Sequence, residues 1–548
     1  MKFSNRSNYV LLGLLVLLNI ILRIPSYPHQ TGYDSFHTSI LANIISLFGH
    51  AGWWVHSLSV FGLYPYSYAS AVPFMLSGIS QLSGLEMEIT VLIFDVFVGL
   101  FSIFAAYLLA GMVRDDDRFK FFVAFGCSTA QGMLVFTTWD VSTRGLFIVM
   151  LPLFVYLVLK VQVDKLRAGI FVMILFVLMA AMHHYVYFTF PIIASFIIIV
   201  VATKINKSKI FQRYYVKKSI INIDPSTTGY NISTKFKNQV FNPIKGNLLN
   251  ICYLVLFFIA LLFPFFGHAF ITAGSRYGWV LDMFIINMRY TGPLFLFAFG
   301  GFTYLVLKRD KTPEDWFLLV IFLFIIPFSY IHTYTHFILF TFLFLFIGVS
   351  FTNIAHAPNP RIKYAYTVII ASLLIAVIFS GFYQHWHTGM KEGRGDWRMT
   401  DETYVGGKWI KEGISTNKCW ISNTVIGYRM FAVSGGLPPL VCGEASGISY
   451  GFVNISSIKI IANSPLSISF YWDNPYVVPL GYSVEGKLSW LFDLNDIDGT
   501  GAKAIIKQYN ISYIIEGRDR YPLLESVHIK KEKVYDSGTI KIWLLNKD

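Results

Sequence analysis

The sequence predicts a polytopic α-helical membrane protein of about 11 transmembrane helices, followed by a C-terminal extracytoplasmic mixed α/β domain. Three observations predict it. First, 55% of the residues are hydrophobic and only 14% are charged, against about 25% charged in an ordinary soluble domain. Second, the net charge of +13 is unevenly distributed. From His385 onward there are 18 basic against 17 acidic residues, whereas the preceding part holds 26 against 14. Third, long apolar runs stop near residue 384, and short strand-like runs with turns take over. The expected division is therefore a membrane domain over 1–384 and an outer α/β domain over 385–548.

A bilayer crossing takes about 20 mostly apolar residues. The first run, Tyr9 to Leu22, follows Lys2 and Arg6 and precedes Arg23-Ile-Pro-Ser-Tyr-Pro rather than a small-residue cleavage site, so it reads as a retained span. The next are Ile89–Val113, Phe121–Trp139, Leu146–Leu159, Ala168–His184 and Tyr187–Ala202. Leu248–Phe266, Thr291–Leu307, Trp316–Tyr330, Phe337–Phe351 and Tyr364–Phe382 complete the set. With the N-terminus cytoplasmic, 22 of the 26 basic residues before His385 fall in cytoplasmic segments, nine of them between Thr203 and Asn247. That is the positive-inside pattern, and it excludes a nucleic-acid-binding stripe. The loop over 203–247 would lie on anionic lipid headgroups.

The first outer loop, 25–88, has no Lys or Arg. Phe36, Ile40, Leu41, Ile44, Ile45 and Phe48 recur at helical spacing, which predicts an amphipathic helix in the outer interface. Trp53, Trp54, Tyr64, Tyr66 and Tyr68 suit the same headgroup zone, and Ala69 to Leu82 reads as a re-entrant or interfacial helix. In the outer domain, Thr403 to Glu412 reads as a helix. Cys419-Trp-Ile-Ser, Tyr513-Ile-Ile and Gly538 to Leu545 read as strands. Cys419 and Cys442 stand in a compartment where a disulfide is permitted, and nothing in their spacing decides it.

Charged groups at the mouth of a helical bundle are costly, which makes the few present informative. Asp34 stands in Gly32-Tyr-Asp-Ser-Phe-His, where it would abstract a proton, hold a metal, or cap the following helix. Asp140 lies in the second outer turn with Arg144 one helical turn on, either as a second acid or as a cap with an intrahelical ion pair. His183-His184 ends the fifth span, with at most one ring facing a site. His336 lies four residues after His332 and could share its helix face. Arg276 and Arg289 flank another outer loop, and a guanidinium there suits a lipid-borne phosphate or a headgroup. A structural envelope role and a transporter or flippase remain alternatives. The latter is disfavoured by the absence of an internal repeat.

This layout resembles the GT-C membrane glycosyltransferases. The resemblance rests on Gly32-Tyr-Asp-Ser-Phe, Phe48-Gly, Gly62-Leu-Tyr-Pro-Tyr-Ser-Tyr and Leu82-Ser-Gly-Leu, in an order similar to the first outer loop of archaeal relatives of the oligosaccharyltransferase catalytic subunit. Tyr404-Val-Gly-Gly-Lys-Trp-Ile and Lys507-Gln-Tyr-Asn-Ile-Ser-Tyr-Ile-Ile are similar to outer domains of archaeal members. The resemblance implies Asp34 and Asp140 as catalytic acids, with a divalent cation (Mg or Mn) held by Asp34, Asp140 and His184. It implies Arg276, Arg289, Arg144 and His336 around the phosphate of a polyprenyl-phosphate-linked sugar donor, with a glycan or protein as acceptor. Asp34 has no acidic neighbour, and the Trp-Trp-Asp motif of true oligosaccharyltransferases is echoed only by Tyr471-Trp-Asp-Asn-Pro. That points away from a sequon acceptor, though transfer of a whole glycan to protein stays open.

Overall fold

The computed structural model describes residues 5–64, 67–207, 243–266, 278–331, 334–356, 360–390, 398–415, 418–422, 424–435, 491, 497–517 and 531–545. Arg276, Cys442, the Tyr471 segment and most of the basic loop lie outside them.

Each expected apolar run is helical over most of its described length. The first part of the chain holds α1 (Asn5–Leu22), α2 (Tyr33–Phe48), α3 (Ala71–Ser83), α4 (Met87–Val113), α5 (Asp117–Thr129) and α6 (Gln131–Leu134). Then follow α7 (Thr143–Lys160), α8 (Lys165–Met182), α9 (Thr189–Lys207), α10 (Pro243–Phe266), α11 (Gly278–Thr291) and α12 (Phe295–Leu307). The bundle closes with α13 (Pro313–Ile331), α14 (Thr335–Ala355) and α15 (Pro360–Met390), which continues past the expected division at 384. Six helical stretches among the described residues are long and apolar enough to cross a membrane: Met87–Val113, Thr143–Lys160, Lys165–Met182, His184–Lys204, Met283–Leu307 and Thr335–Ala355. The protein is a multi-pass membrane protein. Helix α14 is buried along almost its whole length, as an all-round apolar helix must be at a bundle centre. Helices α8 and α10 instead expose Phe171, Met173, Val255 and Phe258, a lipid-facing surface.

One expected span is not continuous. Phe121–Trp139 breaks at Ala130, where α5 ends and the short α6 begins. The chain then turns through residues 135–142 before Ser142 caps α7, its hydroxyl accepting from the Arg144 backbone N–H at 3.3 Å. This break delivers Asp140.

The C-terminal domain, called outer after its expected side, contains α16 (Asp401–Gly413), α17 (Thr424–Ser434), α18 (Thr500–Gln508) and strands β1 (Cys419–Ile421), β2 (Ile511–Gly517), β3 (Glu532–Asp536) and β4 (Ile540–Leu544). The sheet order is β1-β2-β4-β3, with β1 and β2 parallel and the other pairs antiparallel. Thr400 and Thr403 form a reciprocal capping box that starts α16.

The partner of α2 differs from expectation. Its apolar face is buried against the outer domain, not in the lipid interface. Phe36, Ile40, Leu41, Ile44, Ile45 and Trp53 share one core with Met399, Ile410, Trp420, Tyr428 and Phe431. Amphipathic periodicity reports that a face is covered without saying by what. Trp53 is buried with its indole donating to the Tyr68 carbonyl at 2.9 Å, whereas Trp54 is exposed.

Polar contacts fasten the same junction. His29 lies between Glu88 (3.1 Å) and Asp401 (2.9 Å) and stacks on Tyr404. The Tyr404 hydroxyl donates to Glu86 at 2.8 Å, and Lys408 pairs with Glu86 at 3.1 Å. Burial opposes the charge on His29, but Glu88 and Asp401 outweigh it and raise its pKa. The resulting stabilisation is complete below about 6.5, the ordinary histidine value, and is lost as pH rises through the elevated one. Outer-domain docking, read by limited proteolysis, should therefore loosen toward alkaline pH, and His29→Gln should flatten that dependence.

Candidate functional site

The site grows from two backbone segments laid side by side. The Thr31 N–H donates to the Trp139 carbonyl at 3.0 Å, and the Val141 N–H donates to the Ser35 hydroxyl at 3.1 Å. Between these bonds, Gly32 adopts φ +91° and ψ 130°, which side-chain-bearing residues rarely adopt. The Asp140 carboxyl sits over its α-carbon: a Cβ at position 32 would lie 2.0 Å from Asp140 Oδ1. Gly32 thus begins α2 and makes room for Asp140.

Asp34, in the first turn of α2, receives Arg144 Nη2 at 3.4 Å from the first turn of α7. Asp34 does not cap α2, since its N-cap is Gly32 and no side-chain cap bond forms. Nor is the Arg144 ion pair intrahelical with Asp140. It crosses to Asp34, because the turn before α7 directs Asp140 toward Gly32. Arg144 also lies 5.1 Å over the Tyr334 ring. The Asp34 and Arg144 side chains remain 42% and 28% exposed, enough to meet a substrate.

Burial, and next the charges of Asp34 and Asp95, hold the Asp140 carboxyl well above the usual carboxylate range, against the pull of Arg144. Burial pushes His37 down to about 4 despite nearby Asp34, so its ring is neutral at physiological pH. His183 caps the 3-10 turn His184–Phe188, with Nδ1 accepting from the Tyr185 N–H at 3.2 Å.

The structure thus joins Asp34, Asp140 and Arg144. Among the described residues no three His, Cys, Asp or Glu side chains gather as a metal-holding group, so His184 does not complete the expected triad with Asp34 and Asp140. His336 is buried in the first turn of α14, two residues beyond Tyr334, and its Nδ1 lacks a partner among the described residues. Arg289 is exposed in the last turn of α11, with no contact to the carboxylates among the described residues. Four contributors escaped sequence reasoning. Tyr334 carried no signal, Tyr68 was read as a headgroup residue, and Asp95 and Arg23 were visible only as isolated charges beside apolar runs.

No family model matches the sequence, and no curated protein matches it. Solved structures do match the fold. The oligosaccharyltransferase of Archaeoglobus fulgidus, tethered to an acceptor peptide containing the NVT sequon, superposes with TM-score 0.56 at 12% identity, covering 94% of this chain and 69% of that one. AglB from the same organism, in complex with an inhibitory peptide and a dolichol-phosphate, gives 0.51 at 13% identity, covering 94% and 70%. ArnT from Cupriavidus metallidurans in the apo state gives 0.53 at 12% identity, covering 99% of this chain and 98% of that one. The fold they share is that of GT-C membrane glycosyltransferases, and this chain has it. At these identities the likeness establishes the fold alone.

Proposed function

We propose that this chain transfers a sugar from a polyprenyl phosphate, dolichyl phosphate in the archaeal reading, to a lipid-linked glycan, protein or envelope acceptor. The reaction takes place on the outer face, with the N-terminus cytoplasmic, and inverts the anomeric centre. The observation that carries this is the meeting of Asp34, Asp140 and Arg144 from the first two outer loops. The match to a dolichol-phosphate-bound GT-C structure supports the donor class.

In this reading the acceptor hydroxyl attacks the anomeric carbon while the bond from that carbon to the phosphate oxygen breaks. The electron pair leaves with the phosphate, which is already a stable anion and needs no strong general acid. Asp34, held at Oδ2 by Arg144, takes the acceptor proton on its other oxygen. The exposed edge of Arg144 neutralises the departing phosphate, and Arg289, Arg276 and His336 are proposed to assist on the donor side.

A divalent cation, Mg or Mn, fits this reading. Two carboxylates face one guanidinium, and burial already disfavours the Asp140 charge. Asp140 would hold the ion, with water and phosphate oxygens completing the shell, as is usual for Mg. When bound, it supplies positive charge to the donor phosphate. A neighbouring structure, the Archaeoglobus oligosaccharyltransferase, was obtained with Zn and sulfate.

Arg144→Lys should reduce turnover by about 10²-fold, because charge-assisted bonds contribute about 1.5–3 kcal/mol. The reading is tested by reconstituting purified protein with labelled dolichyl-phosphate sugars. Transfer of one sugar supports it. Movement only of a preassembled glycan would instead indicate an oligosaccharyltransferase, and flipping without transfer would indicate a transporter.

A further inference from the structure

Beneath the Asp140 loop lie two buried charges to which the reaction assigns no direct part. Arg23, at the outer end of α1, is 1% exposed. Its Nε donates to the Thr137 hydroxyl at 3.1 Å, and Nη1 donates to the Asn19 side-chain oxygen at 2.7 Å and its carbonyl at 3.2 Å. Nη2 donates to the Ser128 carbonyl at 3.2 Å. The guanidinium occupies a slot made by the missing side chain of Gly99 on α4, where a Cβ would fall 1.9 Å from Nε. Asp95 lies one turn closer to the outer end of α4, is also 1% exposed, and faces the Asp140 backbone and the Arg23 charge.

The two side chains therefore meet one loop at two points: Arg23 binds it at Thr137, and Asp95 faces it at Asp140. Between those points stands Trp139 with φ +52°, a conformation that a bulky residue keeps only when its surroundings enforce it. The Trp139 indole N–H donates to the Glu88 carbonyl at 3.0 Å, a third restraint. Charges buried in a membrane protein are costly, and a well-packed apolar pair is often at least as stabilising. Their placement against a single loop gives them a different use.

We propose that Arg23 and Asp95 are positioning residues that hold the 135–142 loop so that the Asp140 carboxyl stays over Gly32. This rests on Asp140 belonging to the transfer site, but the loop geometry can be read without any reaction. Hydrogen–deuterium exchange of peptides covering 135–142 reports it directly, and turnover of the reconstituted full chain reports its use.

In Arg23→Gln, exchange in this loop rises at least tenfold while α14 stays protected. The kcat falls by about 10²-fold, the scale of an ångström-sized misplacement, and the donor KM changes little. Asp95→Asn keeps a polar oxygen facing the Asp140 backbone and retains most of the turnover, whereas Asp95→Leu does not. Thr137→Val removes the acceptor of Nε, together with the hydroxyl's own bond to the Met133 carbonyl at 2.8 Å, and leaves Arg23 in place, so it decides the matter if Arg23→Gln fails to fold. Unchanged loop exchange in Thr137→Val and Asp95→Leu overturns the proposal. So does equal loss in Asp95→Asn and Asp95→Leu with exchange raised throughout α1, α4 and α5, which marks a merely structural pair. If the wild type transfers no sugar, the exchange arm still decides the positioning role, and only the transferase reading fails.

Discussion

Asp140→Asn should lower sugar transfer by about 10²- to 10⁴-fold, the range associated with removing a positioned acid or base. The substitution is isosteric, so the Gly32 contact and the fold are kept while the ionisable carboxyl is lost. The carboxyl is packed against protein and faces the charges of Asp34 and Asp95 with only Arg144 in opposition. A group placed in such surroundings does not add stability, and thermal unfolding of Asp140→Asn should occur no lower than in the wild type. Loss of turnover without loss of stability is what separates a reacting group from a structural one. Turnover of purified protein beside its unfolding midpoint checks this. A variant that unfolds early and loses activity only in proportion would argue for a structural acid.

Gly32→Ala should have a comparable effect for a steric reason. A methyl group at φ +91° carries backbone strain of about 1–3 kcal/mol, and it would occupy the position of Asp140 Oδ1, 2.0 Å away. The carboxyl has to move by an ångström or more, which costs about 10²-fold in a preorganised site. Gly49→Ala is the control. Gly49 also has positive φ, +74°, yet a Cβ there meets nothing within 4 Å. It should lower the unfolding midpoint and keep turnover, whereas Gly32→Ala should lose turnover. Equal activity in the two variants would show that the Asp140 position is unimportant.

Much of the fold was legible because a bilayer imposes simple rules. The apolar runs proved helical over most of their described length, and the loop charges predict an orientation. The α/β character of the outer domain followed from Cys419-Trp-Ile, Tyr513-Ile-Ile and the closing run to Leu544, which form β1, β2 and β4. The covering of α2 was not legible, since its apolar face faces protein and not lipid. The break at Ala130 was missed because residues 121–139 are apolar on both sides of it, and hydropathy does not register a local change of direction. Asp34 and Asp140 were singled out as scarce outer charges. Their juxtaposition is tertiary, as is the choice of Asp34 over Asp140 as the partner of Arg144.

The most direct measurement is a double-mutant cycle on transfer from a dolichyl-phosphate sugar, comparing Asp34→Asn, Asp140→Asn and the combined variant. If the two carboxylates form one reacting unit, the double variant is hardly slower than the worse single, as groups acting together are strongly non-additive. Losses that multiply independently, or a single variant with wild-type turnover, would contradict a shared outer site.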